Sequence, residues 1–441
     1  MTPSESQPPF SGPPSASTDV GTPHGDLLRR MPCESPSDGT APAAGSSQGS
    51  TERLLRIAQD RVHLVTPAFV IDEQQLAANV SMAAAAIRGE RTRLLFAMKS
   101  FSERAALGFI AQRVAGLHAS SLFEATLARE LLGHAGVVHL TTPGLKAEEL
   151  DELCRLCDYI SFNSLSQWTR LRAHAVGHVS CGLRVNPKLS FVADRRYDPC
   201  RSSSKLGVPI DQLAATLESS PETLTGIEGV LVHTNCDATD FRPLLHTVRR
   251  LEDELTPLLE RLKWINLGGG YLFDEAQDFQ ALSEVIAHLQ SRYRAELFFE
   301  PGAAISRSAG FIVTEVVDVF ASDETQIAVL DTSINHMPEV FEYQWCPEVP
   351  SASGAGRYRY RLAGATCLAG DLFGEFAFEN PLEVGSRIVI GEAGAYSLVK
   401  ASMFNGVNLP NLYRITDTGA LVLDRTFTYS DFLSRCGASP C

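Results

Sequence analysis

Eight short apolar runs alternate with helical stretches between residues 94 and 300, and this repeat constrains the fold more than any other feature of the chain. A strand that recurs after each helical stretch is typical of a parallel sheet with helices packed outside it. Eight such units predict an α/β fold, a parallel (β/α)8 barrel, although periodicity alone leaves a doubly wound open sheet as an alternative. The runs are residues 94–98, 118–120, 137–141, 159–162, 181–185, 229–233, 264–267 and 296–300.

Composition divides the rest of the chain. Residues 1–52 are rich in Pro and Ser and poor in large apolar residues, which predicts a disordered tail. Residues 53–75 hold a strand that we expect to join a second domain, and residues 76–310 hold the barrel. Residues 311–441 carry β-branched runs separated by Gly, Asp and Pro. That pattern is typical of an antiparallel C-terminal β domain, either a β-barrel or a sandwich.

The formal net charge of −14 narrows the choice of partner. It argues against nucleic acid and anionic membranes, and it would suit a cationic small molecule. No run of about 20 apolar residues is present, so the sequence predicts no membrane-spanning helix. The N-terminus lacks a basic-then-apolar leader, and we therefore expect a cytoplasmic protein.

Polar and glycine residues cluster where the predicted barrel strands end. Lys99 follows the first run, His233 ends a later one, Gly268-Gly269-Gly270 follows another and Glu300 closes the last. Each feature alone has an ordinary structural explanation: a solvated charge, a structural histidine or a turn. The C-terminal strand ends of a parallel barrel form its active face, however, so the shared location favours a functional site.

These residue types suit one cofactor, pyridoxal 5'-phosphate (PLP). A desolvated lysine amine can bond covalently to an aldehyde, and glycine N–H groups can cradle a phosphate. A carboxylate can keep a pyridine nitrogen protonated, which makes the ring an electron sink. No metal site is expected, because Cys154 and Cys157 form a lone Cys-x-x-Cys without a second pair.

Ordered short motifs between about residues 62 and 437 extend this interpretation. They include Phe96-Ala97-Met98-Lys99, Gly182-Leu183-Arg184-Val185-Asn186-Pro187, Ser204-Lys205-Leu206-Gly207, His233-Thr234-Asn235-Cys236, Gly268-Gly269-Gly270, Glu300-Pro301-Gly302, His336-Met337-Pro338, Thr366-Cys367-Leu368-Ala369-Gly370-Asp371 and Phe404-Asn405-Gly406. Together these motifs resemble the PLP-dependent decarboxylases of the alanine-racemase fold, relatives of ornithine and diaminopimelate decarboxylases, and in particular the carboxynorspermidine (carboxyspermidine) decarboxylase branch.

The resemblance implies cofactor-binding roles for eight residues. Lys99 would hold PLP covalently, His233 would stack on its ring and Glu300 would pair with the pyridinium nitrogen. Arg184 would support the cofactor pocket or the substrate. The phosphate ligands would be Gly268, Gly269, Gly270 and Tyr396, of which Tyr396 would also contact the substrate.

The resemblance also implies a homodimer with shared active sites. Cys367 and Asp371 would reach across the interface into the partner's site. There Cys367 would protonate the carbanion after carbon dioxide leaves, and Asp371 would hold a substrate amine. Cys367 thereby joins Lys99, His233 and Glu300 in the predicted catalytic set.

The implied substrate is carboxynorspermidine or carboxyspermidine, decarboxylated to norspermidine or spermidine. Its ammonium groups would be complemented by Asp371, Glu339 and Glu342. The sequence departs from the family pattern at Tyr271, where a histidine is usual, at Ala303, where a glutamate is frequent, and at Glu339, where an aspartate is usual. These departures spare the chemistry and bear on the substrate.

Three alternatives stay open. The first is a PLP-dependent decarboxylase of another basic or specialised amino acid, such as diaminopimelate, ornithine, lysine or arginine. The second is a racemase, which the Cys367 motif disfavours. The third is a PLP-binding homologue without catalytic activity, which the retained catalytic set disfavours.

Overall fold

A computed structural model describes residues 47–437 and contains two β-sheets. The strands are β1 (Ala68–Asp72), β2 (Thr92–Ala97), β3 (Gly116–Ala119), β4 (Val137–Thr141), β5 (Tyr159–Phe162), β6 (Ser180–Asn186), β7 (Val208–Pro209), β8 (Ile227–Val232), β9 (Trp264–Asn266), β10 (Glu296–Phe299), β11 (Gly310–Ser322), β12 (Thr325–Leu330), β13 (Tyr358–Ala363), β14 (Leu372–Phe378), β15 (Arg387–Ile390), β16 (Asn411–Ile415) and β17 (Leu421–Arg425).

Helices alternate with the strands of the first sheet and are fewer in the second. They are α1 (Ser47–Ala58), α2 (Glu73–Ala86), α3 (Arg104–Ala111), α4 (Leu122–Leu132), α5 (Ala147–Leu156), α6 (Leu165–Ala175), α7 (Ile210–Ser219), α8 (Arg242–Leu259), α9 (Gln280–Arg292), α10 (Ala303–Ser306), α11 (Glu339–Tyr343) and α12 (Tyr429–Arg435).

The first sheet is a closed parallel barrel, as predicted. Its strand order is β5-β4-β3-β2-β10-β9-β8-β6, and pairing of β5 with β6 closes the ring. All eight predicted apolar runs lie in these strands or overlap their ends. The open-sheet alternative is therefore excluded. The carboxyl ends of the strands meet on one face, where Lys99, His233 and Glu300 follow β2, β8 and β10.

Local capping explains why the barrel helices begin where they do. The Ser121 hydroxyl accepts a hydrogen bond from the Glu124 backbone N–H, while the Glu124 carboxylate accepts one from the Ser120 N–H. Ser164 and Gln167 repeat the arrangement at the start of α6. These side chains satisfy N–H groups that the first helical turn leaves unpaired.

The second sheet is mixed rather than purely antiparallel. Strand β1 pairs antiparallel with β11 and parallel with β16, and β12 pairs parallel with β13. Pairing of β1 ties the segment before the barrel to the C-terminal strands. Residue periodicity does not distinguish these pairings, because both kinds of strand have a two-residue side-chain period.

Helix α1 begins at Ser47, within the segment predicted to be a tail. Leu54 and Ala58 are buried against Val70 and Phe311 of the second sheet. Burial of one leucine contributes roughly 2 kcal/mol, which helps to order the helix. The tail prediction for residues 1–46 lies outside the described residues. None of the helices in the described part of the chain is long and apolar enough to span a membrane.

Candidate active site

The Lys99 side chain faces a cavity at the carboxyl face of the barrel. It lies in a single helical turn, Met98–Ser100, directly after β2. The Ala97 N–H donates to the Pro301 carbonyl oxygen at 3.1 Å, and the Ser100 hydroxyl donates to the Ala97 carbonyl oxygen at 2.8 Å. The end of β2 is thus fixed to the loop after β10.

Several charged groups surround Lys99. Burial lowers the pKa of Lys99, the Glu300 carboxylate opposes this shift, the Arg184 guanidinium adds to it, and the Glu124 carboxylate also opposes it. Burial also lowers the pKa of Arg184. Within residues 47–437, no hydrogen bond or ion pair engages the Lys99 amine or the Arg184 guanidinium. Both groups are therefore available to a bound ligand.

Two side chains that sequence analysis missed hold Glu300 in place. Its Oε2 accepts a hydrogen bond from Asn266 Nδ2 at 3.0 Å and lies 3.3 Å from His118 Nε2. Burial raises the pKa of Glu300, while Lys99, the Asn266 hydrogen bond and Arg184 lower it. The Oε2 atom of Glu300 thus contacts Asn266 and His118, and its other carboxylate oxygen accepts no hydrogen bond from a described residue.

The glycine loop is connected to both of its predicted neighbours. The Gly269 N–H donates to His233 Nδ1 at 3.1 Å, so this nitrogen is the acceptor and Nε2 carries the ring proton. The Gly268 N–H donates to Asn266 Oδ1 at 2.8 Å. Two of the three glycine N–H groups are therefore used within the protein. That of Gly270 has no acceptor among the described residues.

The close approach of backbone explains why this loop needs glycine. A Cβ at Gly269 would lie 2.4 Å from the carbonyl oxygen of Glu300. A Cβ at Gly270, where φ is +87°, would lie 2.1 Å from the carbonyl oxygen of Asn235. Glycine is therefore required at both positions because neighbouring backbone occupies the place of a side chain, and Gly270 also lines the Lys99 cavity.

Three further groups line the same cavity and could donate hydrogen bonds to a bound anion. The backbone N–H groups of Ala303 and Ala304 donate to no acceptor in the described part of the chain, and both residues line the cavity. Tyr396, which was predicted, also lines it. Its hydroxyl makes no hydrogen bond within residues 47–437. Sequence analysis missed the two alanines because backbone donors leave no side-chain signal.

Cys367 and Asp371 lie outside the Lys99 cavity of their own chain. Cys367 is exposed, and its backbone N–H donates to Asn405 Oδ1 at 2.8 Å. Asp371 is buried and accepts from the Ile334 N–H at 2.7 Å, among other donors. Its carboxylate organises the loop that carries Cys367. The predicted contact of Asp371 with a substrate amine would have to displace these donors, and it stays a prediction.

A second cavity adjoins the first and shares Asp237 with it. Asp237 pairs with Arg307 at 2.6 Å. Burial raises the pKa of Glu339 and of Glu392, which also line this cavity. Three carboxylates thus face one guanidinium, beside the aromatic rings of Tyr343 and Trp345. Glu342 is exposed, pairs with Lys400 and lines neither cavity.

The first cavity defines a class of protein. Three features lie together on the active face of a (β/α)8 barrel: the Lys99 amine, which has no partner among the described residues, the positioned Glu300 carboxylate, and a cradle formed by the backbone N–H groups of Gly270, Ala303 and Ala304. They fit a phosphorylated aldehyde cofactor whose ring nitrogen is held by a carboxylate. Among the described side chains, no group of three or more His, Cys, Asp or Glu is placed to hold a metal ion.

Comparison with known proteins agrees with this class. Residues 73–307 match the family described as "Pyridoxal-dependent decarboxylase, pyridoxal binding domain". The carboxyaminopropylagmatine decarboxylase of Synechocystis sp. is 36% identical over 85% of this chain and 96% of its own length. The carboxynorspermidine/carboxyspermidine decarboxylase of Herminiimonas arsenicoxydans is 33% identical over 84% of this chain and 98% of its own length.

A solved structure agrees with these relatives. The carboxynorspermidine decarboxylase of Campylobacter jejuni, complexed with norspermidine, superposes with a TM-score of 0.75 at 30% identity. The match covers 84% of this chain and 99% of that protein. The chain therefore belongs to the pyridoxal-dependent decarboxylase family. Its cofactor is PLP and it is an amino-acid decarboxylase, which favours the main prediction over the racemase and the inactive homologue.

Proposed function

We propose that this enzyme removes the α-carboxylate of a carboxylated polyamine, with carboxynorspermidine or carboxyspermidine as substrate and norspermidine or spermidine as product. The observation that carries this proposal is the acidic, aromatic-lined second cavity, which adjoins the Lys99 cavity and shares Asp237 with it. The names of the Herminiimonas and Campylobacter relatives support the same choice of substrate.

The residues of the first cavity have distinct tasks in this proposal. Lys99 holds PLP through its Nζ atom, and Glu300 holds the protonated pyridine nitrogen. His233 lies beside the ring, while Gly270 and Tyr396 bind the phosphate. When bound, PLP supplies an electron sink for the electron pair left by the departing carboxylate.

Arg184 is available to a ligand because its guanidinium has no hydrogen-bond acceptor within residues 47–437. Its guanidinium lies near both Lys99 and Glu300. It can therefore bind an oxygen of the cofactor or the substrate carboxylate before carbon dioxide leaves. Gly268 and Gly269 shape the cradle and support Asn266 and His233, instead of donating to the phosphate.

The second cavity binds the distal ammonium groups of the substrate. Asp237 is neutralised by Arg307, and Glu339 lies 3.3 Å from the Lys400 amine. Glu392 has no hydrogen bond or ion pair within residues 47–437, and it is the carboxylate most available to a ligand cation. The rings of Tyr343 and Trp345 line the same cavity, where aromatic rings can attract a ligand cation.

A guanidinium-ended polyamine is the second candidate substrate. Carboxylates beside aromatic faces also suit a planar guanidinium, which stacks and hydrogen-bonds in one plane. The 36% identity to a carboxyaminopropylagmatine decarboxylase supports this candidate. Carboxyspermidine and carboxyaminopropylagmatine differ in the terminal cation that would enter the second cavity.

We further propose a homodimer in which Cys367 acts in the partner's site. Cys367 is exposed, and Leu368, Phe341 and Phe404 expose apolar surface around it. The Cys367–Asn405 hydrogen bond places the Phe404 turn beside it, and Gly370 approaches the Phe341 ring. Such a patch beside a thiol suits burial by a second copy. The cytoplasmic location stays a prediction.

Mixed dimers test the shared site. Purified Lys99→Ala and Cys367→Ala proteins are denatured, mixed in equal amounts and refolded. After random pairing, about half of the dimers contain one copy of each variant, and one of the two active sites in such a dimer keeps both Lys99 and Cys367. About a quarter of the wild-type activity should therefore return. Activity no higher than that of the separate variants would contradict a site shared between subunits.

A substrate panel tests the proposed function directly. The purified enzyme is incubated with carboxynorspermidine, carboxyspermidine, carboxyaminopropylagmatine, diaminopimelate, ornithine, lysine and arginine, and the products are identified by mass spectrometry. The Lys99→Ala variant is the matched control. We expect carbon dioxide release from the carboxylated polyamines alone. Preferred turnover of diaminopimelate, ornithine, lysine or arginine would contradict the proposal.

A further inference from the structure

His118 lies beneath Glu300 inside the barrel, and neither the sequence motifs nor the proposed function assigns it a task. It belongs to β3 and is buried. Its Nε2 atom lies 3.3 Å from Glu300 Oε2 and 3.1 Å from Thr141 Oγ1. Its Nδ1 atom is buried without a hydrogen-bond partner among the described residues.

The unpaired Nδ1 atom determines which nitrogen carries the proton. A buried N–H without an acceptor is rarer in proteins than a buried acceptor without a donor. The proton therefore belongs on Nε2, where Thr141 Oγ1 can accept it and where the N–H dipole lies 3.3 Å from Glu300 Oε2. A doubly protonated ring would bury an unpaired N–H, and burial with the nearby charges of Lys99 and Arg184 lowers the pKa of His118 to about 3.

The same oxygen of Glu300 accepts a hydrogen bond from a second residue. Asn266 Nδ2 donates to Oε2 at 3.0 Å, while Asn266 Oδ1 accepts from the Gly268 N–H. Donors and nearby positive dipole ends favour the ionised form of a carboxylate. The Asn266 hydrogen bond and the nearby Nε2–H of His118 together oppose the burial that would protonate Glu300, and they leave its other oxygen for a ligand.

We propose that His118 is a positioning residue, a neutral Nε2–H donor that keeps Glu300 ionised and directs its free oxygen at the pyridine nitrogen of the cofactor. This inference rests on the proposed function, since it needs PLP bound with its ring nitrogen at Glu300. His118 itself touches neither the cofactor nor the substrate.

Two substitutions separate the effect of the His118 Nε2–H group from the effect of the volume of the ring. His118→Leu removes the donor, whereas His118→Gln can place an amide N–H near the position of Nε2. Each variant is loaded with PLP carrying 15N in its ring, and the nitrogen chemical shift is measured by NMR at pH 7.5. We expect a protonated ring nitrogen in the wild type and in His118→Gln, and a deprotonated population in His118→Leu.

Kinetics give a second measurement on the same proteins. His118→Leu should lower kcat about tenfold or more, with a change in KM of less than about twofold, because substrate contacts are untouched. His118→Gln should restore most of the loss. A protonated ring nitrogen and an unchanged kcat in His118→Leu would overturn the proposal.

The wild-type protein tests the inference even if a variant fails to fold. Holoenzyme labelled with 15N-histidine should show one imidazole that stays neutral with its proton on Nε2 between pH 6 and pH 8, and that is absent from the spectrum of His118→Gln. A charged ring or a proton on Nδ1 would overturn the inference. Failure of the wild type to bind PLP would instead overturn the proposed function.

Discussion

Replacement of Asp371 tests whether this residue organises the Cys367 loop. Its carboxylate accepts from the Ile334 N–H at 2.7 Å, from the Thr366 N–H at 3.0 Å and from the hydroxyls of Ser333 and Thr366. Asp371→Ala leaves both N–H groups without this acceptor. A buried unpaired donor costs about 1–3 kcal/mol, and Thr366 is only half-buried, so we expect a total loss of about 2–4 kcal/mol.

The assay is urea unfolding followed by circular dichroism at one fixed protein concentration, since dimerisation would otherwise shift the midpoint. Asp371→Asn is the matched control, because it keeps an oxygen for Ile334 but presents an amide to Thr366. Asp371→Asn should lose roughly half as much free energy of unfolding as Asp371→Ala. Asp371→Ala should also lower kcat as Cys367→Ala does, since the loop moves. A free energy of unfolding within about 0.5 kcal/mol of the wild type would refute this reasoning.

Three further substitutions give distinct outcomes. Cys367→Ala should slow turnover and divert part of it to transamination while PLP stays bound, which absorbance and product analysis would show; unchanged kinetics and product would contradict a role in protonation. Gly270→Ala should weaken PLP binding about tenfold or more, because it forces a side chain into positive φ and against Asn235; cofactor titration measures this, and unchanged affinity would argue against the cradle. Glu339→Gln should raise KM for the polyamine about tenfold with kcat within about twofold, as steady-state kinetics would show; a lower kcat at constant KM would place Glu339 in the chemistry instead.

The barrel could be predicted because its signals are local. Apolar strands alternate with helices, and capping pairs such as Ser121 with Glu124 mark where a helix begins. Motifs at strand ends located Lys99, His233 and the glycine loop, since parallel strands bring all of their carboxyl ends to one face.

The pairs that complete the site could not be predicted, because they join residues far apart in the chain. His118 meets Glu300 only through the register of β3, β2 and β10. The parallel pairing of β1 with β16 likewise spans most of the chain. That Gly268 and Gly269 donate inside the protein, and that Asp371 is saturated with donors, depends on loop geometry that no motif specifies.

The covalent attachment of the cofactor to Lys99 is the central claim. The measurement is reduction of the PLP-loaded enzyme with borohydride, then protease digestion and mass spectrometry of the lysine peptides. The reduced cofactor should be found on the peptide that contains Lys99, in wild type and in a Lys205→Ala control, and on no peptide of Lys99→Ala. Cofactor trapped on another lysine, or still trapped in Lys99→Ala, would contradict the account.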